Sequence, residues 1–258
     1  MEPEIRIVTN AEDLAREAAS EFVRRAKEAV RTKGLFTVAL SGGSTPRSLY
    51  SLLVGDVTLR GRLPWEKTHF FWGDERHVPL DHADSNYRMT NEAMLSKAPI
   101  PSANVHRIES ELPDAHEVAR KYEQTLHDFF RQTPRFDLVL LGMGPDGHTA
   151  SLFPGTDALS ERQHLVVANW VEKLKEYRIT LTLPVLNNAA CVVFLVSGAE
   201  KAETLRAVLE KEAGPVRFPS QLIHPTKGLL IWLVSSEAAS LLPKTLKNPQ
   251  SGLKSAER

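Results

Sequence analysis

The run Leu138-Val-Leu-Leu141 stops in Gly142-Met-Gly-Pro-Asp-Gly-His148, where three glycines fall within six residues beside an acid and an imidazole. A short Val/Leu run without alternation reads as a strand buried on both faces, and such strands belong to parallel sheets covered by helices. Residues just past the carboxyl end of such a strand line the ligand crevice of an open α/β sheet. Backbone this rich in glycine serves conformational freedom rather than strength. Asp146 and His148 therefore stand where chemistry is done, and His148 is the side chain here best matched to proton transfer near neutral pH.

The rest of the chain keeps the same strand-then-helix rhythm. Ile5–Val8, Phe36–Leu40, Thr68–Trp72, Phe136–Leu141, Val166–Trp170, Arg178–Leu183, Cys191–Val196 and Leu229–Val234 read as strands. Asn10 caps a helix from Ala11 to about Lys33, which Gly34 ends. Further helices are expected to open at Pro46 and to cover Ser85 to Lys97, Asp114–Arg131 and Ala199–Glu210. Strands separated by helices imply right-handed crossovers, hence an α/β fold with a mostly parallel sheet. With no repeat and no long linker, residues 1–258 are expected to form one domain with a frayed tail after Pro243.

Composition removes several classes of function. Lys plus Arg equal Asp plus Glu at 32 each, so no overall field draws the chain to nucleic acid or a membrane. A small anion needs only a local cluster of cations and remains open as a ligand. The single cysteine, Cys191, lies in an apolar run and reads as a buried hydrophobe. One thiol makes no internal disulfide, and together with an acidic N-terminal stretch unlike a signal peptide this points to the cytoplasm. No apolar stretch reaches the roughly 18 residues of a membrane span.

Three more segments carry chemistry. Ser41-Gly-Gly-Ser-Thr-Pro-Arg47 follows a strand and opens a helix, so unsatisfied N–H groups and the positive end of the helix dipole form an anion site. It lacks the Gly-Lys-Ser/Thr ending of a nucleotide P-loop, and a plain turn capped by Thr45 is the competing reading. In Trp72-Gly-Asp-Glu-Arg-His-Val-Pro79, Asp74, Glu75, Arg76 and His77 crowd a position that reads either as a solvated charged loop or as part of a site. Arg178 and Lys201 lie near strand ends and together suit a phosphate. His224 reads as structural. Gly142–Gly147 satisfies G-x-G-x-x-G, but Asp146 would put a carboxylate in the pyrophosphate cradle, which argues against a dinucleotide. Ser41, Gly73, Gly142 and Gly198 all follow strands, so in a parallel sheet a phosphate loop, a charged loop, an Asp/His loop and a cation-bearing turn meet at one edge.

In that order, and with Ser85-Asn-Tyr87, these motifs resemble the 6-phosphogluconolactonases, of the superfamily shared with the glucosamine-6-phosphate deaminases. The resemblance runs from Ser41 to about Val234. It implies a Rossmann-like three-layer fold with helices on both faces, and hydrolysis of 6-phospho-D-glucono-1,5-lactone in the pentose phosphate pathway without a cofactor or metal. It further implies His148, Asp146, Arg76 and Asp74 as catalytic residues. Ser41, Gly42, Gly43, Ser44, Thr45, Arg47, Arg178 and Lys201 would take the substrate's phosphate. A monomer or weak homo-oligomer is expected. Deaminases carry a Glu where this chain has Phe153, and tend to have Asp-Glu-Tyr at Asp74-Glu75-Arg76. Both departures favour the lactonase. A catalytically silent sugar-phosphate sensor would keep the phosphate loop and lose the Asp/His loop, and both are intact.

Overall fold

Six parallel strands form the centre of the computed structural model, which describes residues 2–210 and 218–247. In chain order the elements are β1 (Glu4–Val8), α1 (Ala11–Lys33), β2 (Phe36–Leu40), α2 (Ser44–Gly55), α3 (Val57–Arg62), β3 (Thr68–Trp72), β4 (Asp74–Arg76), α4 (Asn86–Ala93) and α5 (Ala115–Phe130). They continue with β5 (Leu138–Leu141), β6 (Val166–Val171), β7 (Glu176–Leu181), α6 (Leu183–Leu186), β8 (Cys191–Val196), α7 (Ala202–Leu209), β9 (Leu229–Ser235) and α8 (Lys244–Lys247). The main sheet runs β1-β9-β8-β5-β2-β3 with every neighbouring pair parallel. The strand order reverses direction beside β5, so the crevice of an open sheet falls where the Asp/His loop begins.

Apolar runs without alternation become strands with two covered faces: β2, β5 and β8 are buried at every residue. Side-chain alternation assigns the helices to those faces. Phe36, paired in register with Thr68, meets Phe22 of α1 at 5.4 Å between rings. Phe71, one step out of phase on β3, meets Phe129 of α5 at 5.1 Å on the opposite side. The expected three layers are thus present. α1 is bounded as its sequence implies, with Asn10 accepting the Asp13 N–H at 2.9 Å and Gly34 at φ 85°.

Three expectations need correction. Val166–Trp170 and Arg178–Leu183 are not strands of the main sheet; β6 and β7 form an antiparallel hairpin that pairs with β4 as a second sheet. β7 alternates polar and apolar residues from Glu176 to Leu181, the pattern of an antiparallel strand rather than of a strand buried in a parallel sheet. The charged segment Asp74–Arg76 is a strand and not a solvated loop, because β7 supplies its backbone partners. The helix assigned to start at Pro46 begins at Ser44, since Gly43 at φ 105° makes the turn. Beyond Pro243, Lys244–Lys247 is helical, and the rest of the tail lies outside the described residues.

Two buried tyrosines close the ends of β2 and β3. The Tyr50 hydroxyl accepts the Ser41 N–H at 3.0 Å and donates to the Ser41 carbonyl at 2.9 Å. The Tyr122 hydroxyl does the same for Trp72, at 2.8 and 3.0 Å. Burial pushes both phenols far above their ordinary range, so both stay protonated. Gly73 then ties the two sheets together: its N–H donates to the Leu40 carbonyl at 2.8 Å and its carbonyl accepts from Leu181 at 2.9 Å. Tyr50→Phe and Tyr122→Phe each strand a buried backbone pair, and each is expected to cost about 1–3 kcal/mol. Urea unfolding measures this; an unchanged midpoint would mean that water replaces the hydroxyl.

Candidate active site

β2, β3, β5 and β8 end at one edge, and the segments that follow them surround a cavity of about 310 Å³. On one wall, Gly42 lies so close to Asn86 that a Cβ there would fall 1.8 Å from its Oδ1. Gly42 and Gly43 lead into the start of α2, whose free N–H groups favour an anion. Ser41 Oγ is buried at this wall without a hydrogen-bond partner, a donor available to a ligand. Ser44, Thr45 and, from the turn after β8, Lys201 line the same cavity.

The second sheet supplies the opposite wall. Alternation along β4 sorts three consecutive charges. Asp74 and Arg76 face the cavity, while Glu75 turns into the protein at 1% exposure. Arg76 is directly opposite Arg178 in the β4–β7 register. Like charges so placed repel, and an anion between them relieves the repulsion. Arg178 is steadied by Glu176, which accepts from its Nε at 2.8 Å. Arg76 Nη1 donates to the Asp84 carbonyl at 2.5 Å, whereas its Nε is buried and unpaired. Asp74 is fixed by Ser151, whose hydroxyl donates to Oδ2 at 2.6 Å, and the Asn86 amide donates to the Asp74 carbonyl at 2.9 Å.

Glu75 organises the segment that precedes α4. It accepts the N–H groups of Arg76, Asn86 and Tyr87 at 2.7–2.8 Å. Burial nevertheless raises its carboxyl to about 7, with neighbouring Asp74 adding to the rise against those hydrogen bonds.

The third component is the loop after β5. Asp146 Oδ1 lies 2.5 Å from His148 Nδ1 and also accepts the His148 backbone N–H at 3.2 Å. An ionised carboxylate at Nδ1 fixes the proton there and leaves the Nε2 lone pair open. Burial works to raise the Asp146 carboxyl, but hydrogen bonds from His148 and Lys173 outweigh it and hold it well below the carboxylate range. The Phe153 ring stacks on the imidazole at 4.2 Å between centroids. Only glycine fits at two loop positions. A Cβ at Gly144 would meet the imidazole at 2.0 Å, and Gly147, at φ 71°, would drive one into Phe218. The loop is pinned by Thr149 to the Gly142 carbonyl at 2.8 Å and by Ser220 to the Gly147 carbonyl at 2.7 Å.

Of the residues singled out from sequence, Ser41, Gly42, Gly43, Ser44, Thr45, Asp74, Arg76, His148, Arg178 and Lys201 share this one cavity. Asp146 stands behind His148 rather than on the cavity wall. Arg47 is a correction: one turn into α2, it is exposed and does not line the cavity. His77 is occupied structurally, its Nε2 2.7 Å from the Leu112 carbonyl, and His224 is exposed away from the site. Sequence reasoning assigned no role to Asn86, Ser151 or Lys173: Asn86 enters only within the Ser85-Asn-Tyr87 motif and Ser151 only within the segment that follows His148, while Lys173 lies in no motif. Among the described residues, no group of three or more His, Cys, Asp or Glu side chains is arranged to hold a metal ion.

The chain matches the family described as glucosamine-6-phosphate isomerases/6-phosphogluconolactonase over residues 9–232. It is 42% identical over 246 residues to a 6-phosphogluconolactonase of a Synechocystis species, covering 94% of this chain and 99% of the relative. The crystal structure of 6-phosphogluconolactonase from Thermotoga maritima superposes with a TM-score of 0.77 at 33% identity, over 91% of this chain and all (100%) of that one. The enzyme of that name from Trypanosoma cruzi gives 0.82 at 31% identity, over 93% and 96%.

The raised carboxyl of Glu75 makes a prediction with a definite sign. The folded chain holds this proton more tightly than the unfolded chain, so the contribution is complete below about 4.5 and is lost as pH rises through about 7. Glu75→Gln is destabilising, because an amide nitrogen cannot accept a backbone N–H. Its deficit against the parent should shrink by roughly 1–3 kcal/mol between pH 5 and 8. Denaturant unfolding at both pH values measures this, and a deficit that grows with pH would show that the carboxylate is ionised throughout.

Proposed function

The chain belongs to the glucosamine-6-phosphate isomerase/6-phosphogluconolactonase family, and we propose that it acts in it as a lactonase whose catalytic base is His148. It hydrolyses 6-phospho-D-glucono-1,5-lactone to 6-phospho-D-gluconate, a step of the oxidative pentose phosphate pathway. The observation that carries the base assignment is the 2.5 Å contact between Asp146 and Nδ1 of His148, whose ring lines the same cavity as Arg76, Arg178 and Lys201.

In this reading the phosphate lies on the amides of Gly42, Gly43 and Ser44, with Ser41, Thr45, Arg178 and Lys201 around it. Arg47 has no part. Neutral His148 takes a proton at Nε2 from water as the water oxygen bonds to C1 of the lactone. Arg76, with an unpaired buried Nε, stabilises the tetrahedral oxyanion. Asp74, held by Ser151, orients the water or a sugar hydroxyl. When the bond from C1 to the ring oxygen breaks, the imidazolium returns its proton to that oxygen and the product acid ionises. Asp146 stays ionised and steadies the imidazolium. A δ-lactone already hydrolyses unaided, so side chains and water meet the requirement. Phe153 supports the lactonase over the deaminase: its ring covers the face of His148 where the deaminase resemblance would call for a third acid. The cytoplasm is the setting this reading favours, with residues 1–258 acting as one domain in a monomer or weak homo-oligomer. The buried thiol of Cys191 is consistent with that compartment.

Two measurements bear on this reading. His148→Ala should lower kcat by roughly 10²–10⁴-fold with little change in KM; a folded variant within a few-fold of the parent refutes the base assignment. A substrate panel tests the rest. Freshly made phosphorylated lactone should be consumed rapidly, unphosphorylated gluconolactone poorly, and glucosamine 6-phosphate without ammonia release. Arg178→Ala should mainly raise KM, by the roughly 1.5–3 kcal/mol of a charge-assisted contact. Ammonia at enzymatic rates, or equal kcat/KM for the two lactones, would overturn the assignment.

A further inference from the structure

The two oxygens of Asp146 are held by different elements. Oδ1 serves His148, and Oδ2 accepts from Lys173 Nζ. Lys173 lies outside the Asp/His loop, in the turn Glu172–Lys175 that joins β6 to β7. That turn closes with Lys175 at φ 55°, its N–H donating to the Val171 carbonyl at 2.9 Å. The acid within the turn is already engaged, since Glu172 accepts from Lys175 and, at 2.7 Å, from Trp170 Nε1. Lys173 reaches across to the loop. Its ammonium also sits 4.7 Å from the centre of the Phe153 ring, the ring that stacks on the imidazole. The ammonium thus meets the Asp/His pair both through the carboxylate behind the imidazole and through the ring on its face.

The surrounding charges are Asp146 on the loop, Lys173 on the hairpin, Asp74, Arg76 and Arg178 on the second sheet, and Glu200 and Lys201 after β8. Of these, Asp146 is the one hydrogen-bonded to the His148 ring, and Lys173 is its only other side-chain partner among the described residues. A carboxylate left to the imidazole alone favours imidazolium, and a protonated imidazole cannot act as a base. We infer that Lys173 is a positioning residue for the catalytic base, holding Asp146 toward Nδ1 and sharing its negative charge. The inference rests on His148 being the base. It also joins that base to the hairpin bearing Arg178, so one element serves both phosphate and proton transfer.

The test is kcat/KM for the phosphorylated lactone from pH 5 to 8 in the parent, Lys173→Met, Lys173→Arg and His148→Ala. Lys173 is 52% exposed, so the variants are expected to fold, and the charge acts at the strength of a half-exposed ion pair. Lys173→Met should move the acid limb upward by roughly 0.2–0.7 pH unit, leaving the plateau within a few-fold of the parent. Lys173→Arg should restore the parent position. Titration of the substrate's own phosphate is common to all four and cancels. A Lys173→Met profile that superimposes on the parent, or falls by one factor at every pH, overturns the role of Lys173. If His148→Ala retains parental activity, the base assignment fails and takes this inference with it. If His148→Ala is inactive while the Lys173→Met limb stays in place, Lys173 alone is refuted.

Discussion

Parallel strands that stop together leave their last peptide groups without partners at the place where a ligand must enter. Several buried groups behind the site answer that constraint. Tyr50 and Tyr122 each spend a hydroxyl on a strand end, Gly73 bridges from Leu40 to Leu181, and Thr149 closes on Gly142. The ligand-facing backbone is therefore held from behind by buried groups. Gly42, Gly43, Gly142, Gly144 and Gly147 can stay bare of side chains while the backbone around them is held in place.

The small antiparallel sheet gives the cavity its charge. The chain is neutral as a whole, yet β4 and β7 set two guanidiniums opposite one another and Lys201 adds a third cation from β8's exit. Alternation on a three-residue strand separates Asp74 and Arg76 from Glu75, so neighbouring carboxylates have different work. One faces the cavity; the other, out of water, gathers the backbone of Arg76, Asn86 and Tyr87. Phe153 and Lys173 then flank the Asp146–His148 pair from the same side of the molecule.

What could be read from the residues followed where local and tertiary preference agree. Phe36–Leu40, Thr68–Trp72 and Cys191–Val196 have the bounds their apolar runs imply, and the glycines that follow them do mark the site edge. Asp74–Arg76 could not be read as a strand, because three charges contradict strand propensity and only pairing to β7 overrides it. Val166–Trp170 and Arg178–Leu183 read as strands without a sheet assigned, and the alternation of Arg178-Ile-Thr-Leu-Thr-Leu is the local sign of their separate, antiparallel pairing. Arg47 sat in the right motif, but helical spacing carries it to solvent. Lys173 has no signature at all in sequence, since its meaning comes from Asp146, 27 residues earlier in the chain.

The opposed arginines link folding to metabolite supply. Arg76 and Arg178 face each other across the β4–β7 register, a repulsion that folding imposes and that an anion between them offsets. A ligand that binds only the folded chain adds to its stability, by about 2.7 kcal/mol at a hundred times its dissociation constant. Flux through the pathway would then set how long each molecule survives as well as how fast it turns over, and a cell that stops making the lactone would hold a less durable enzyme.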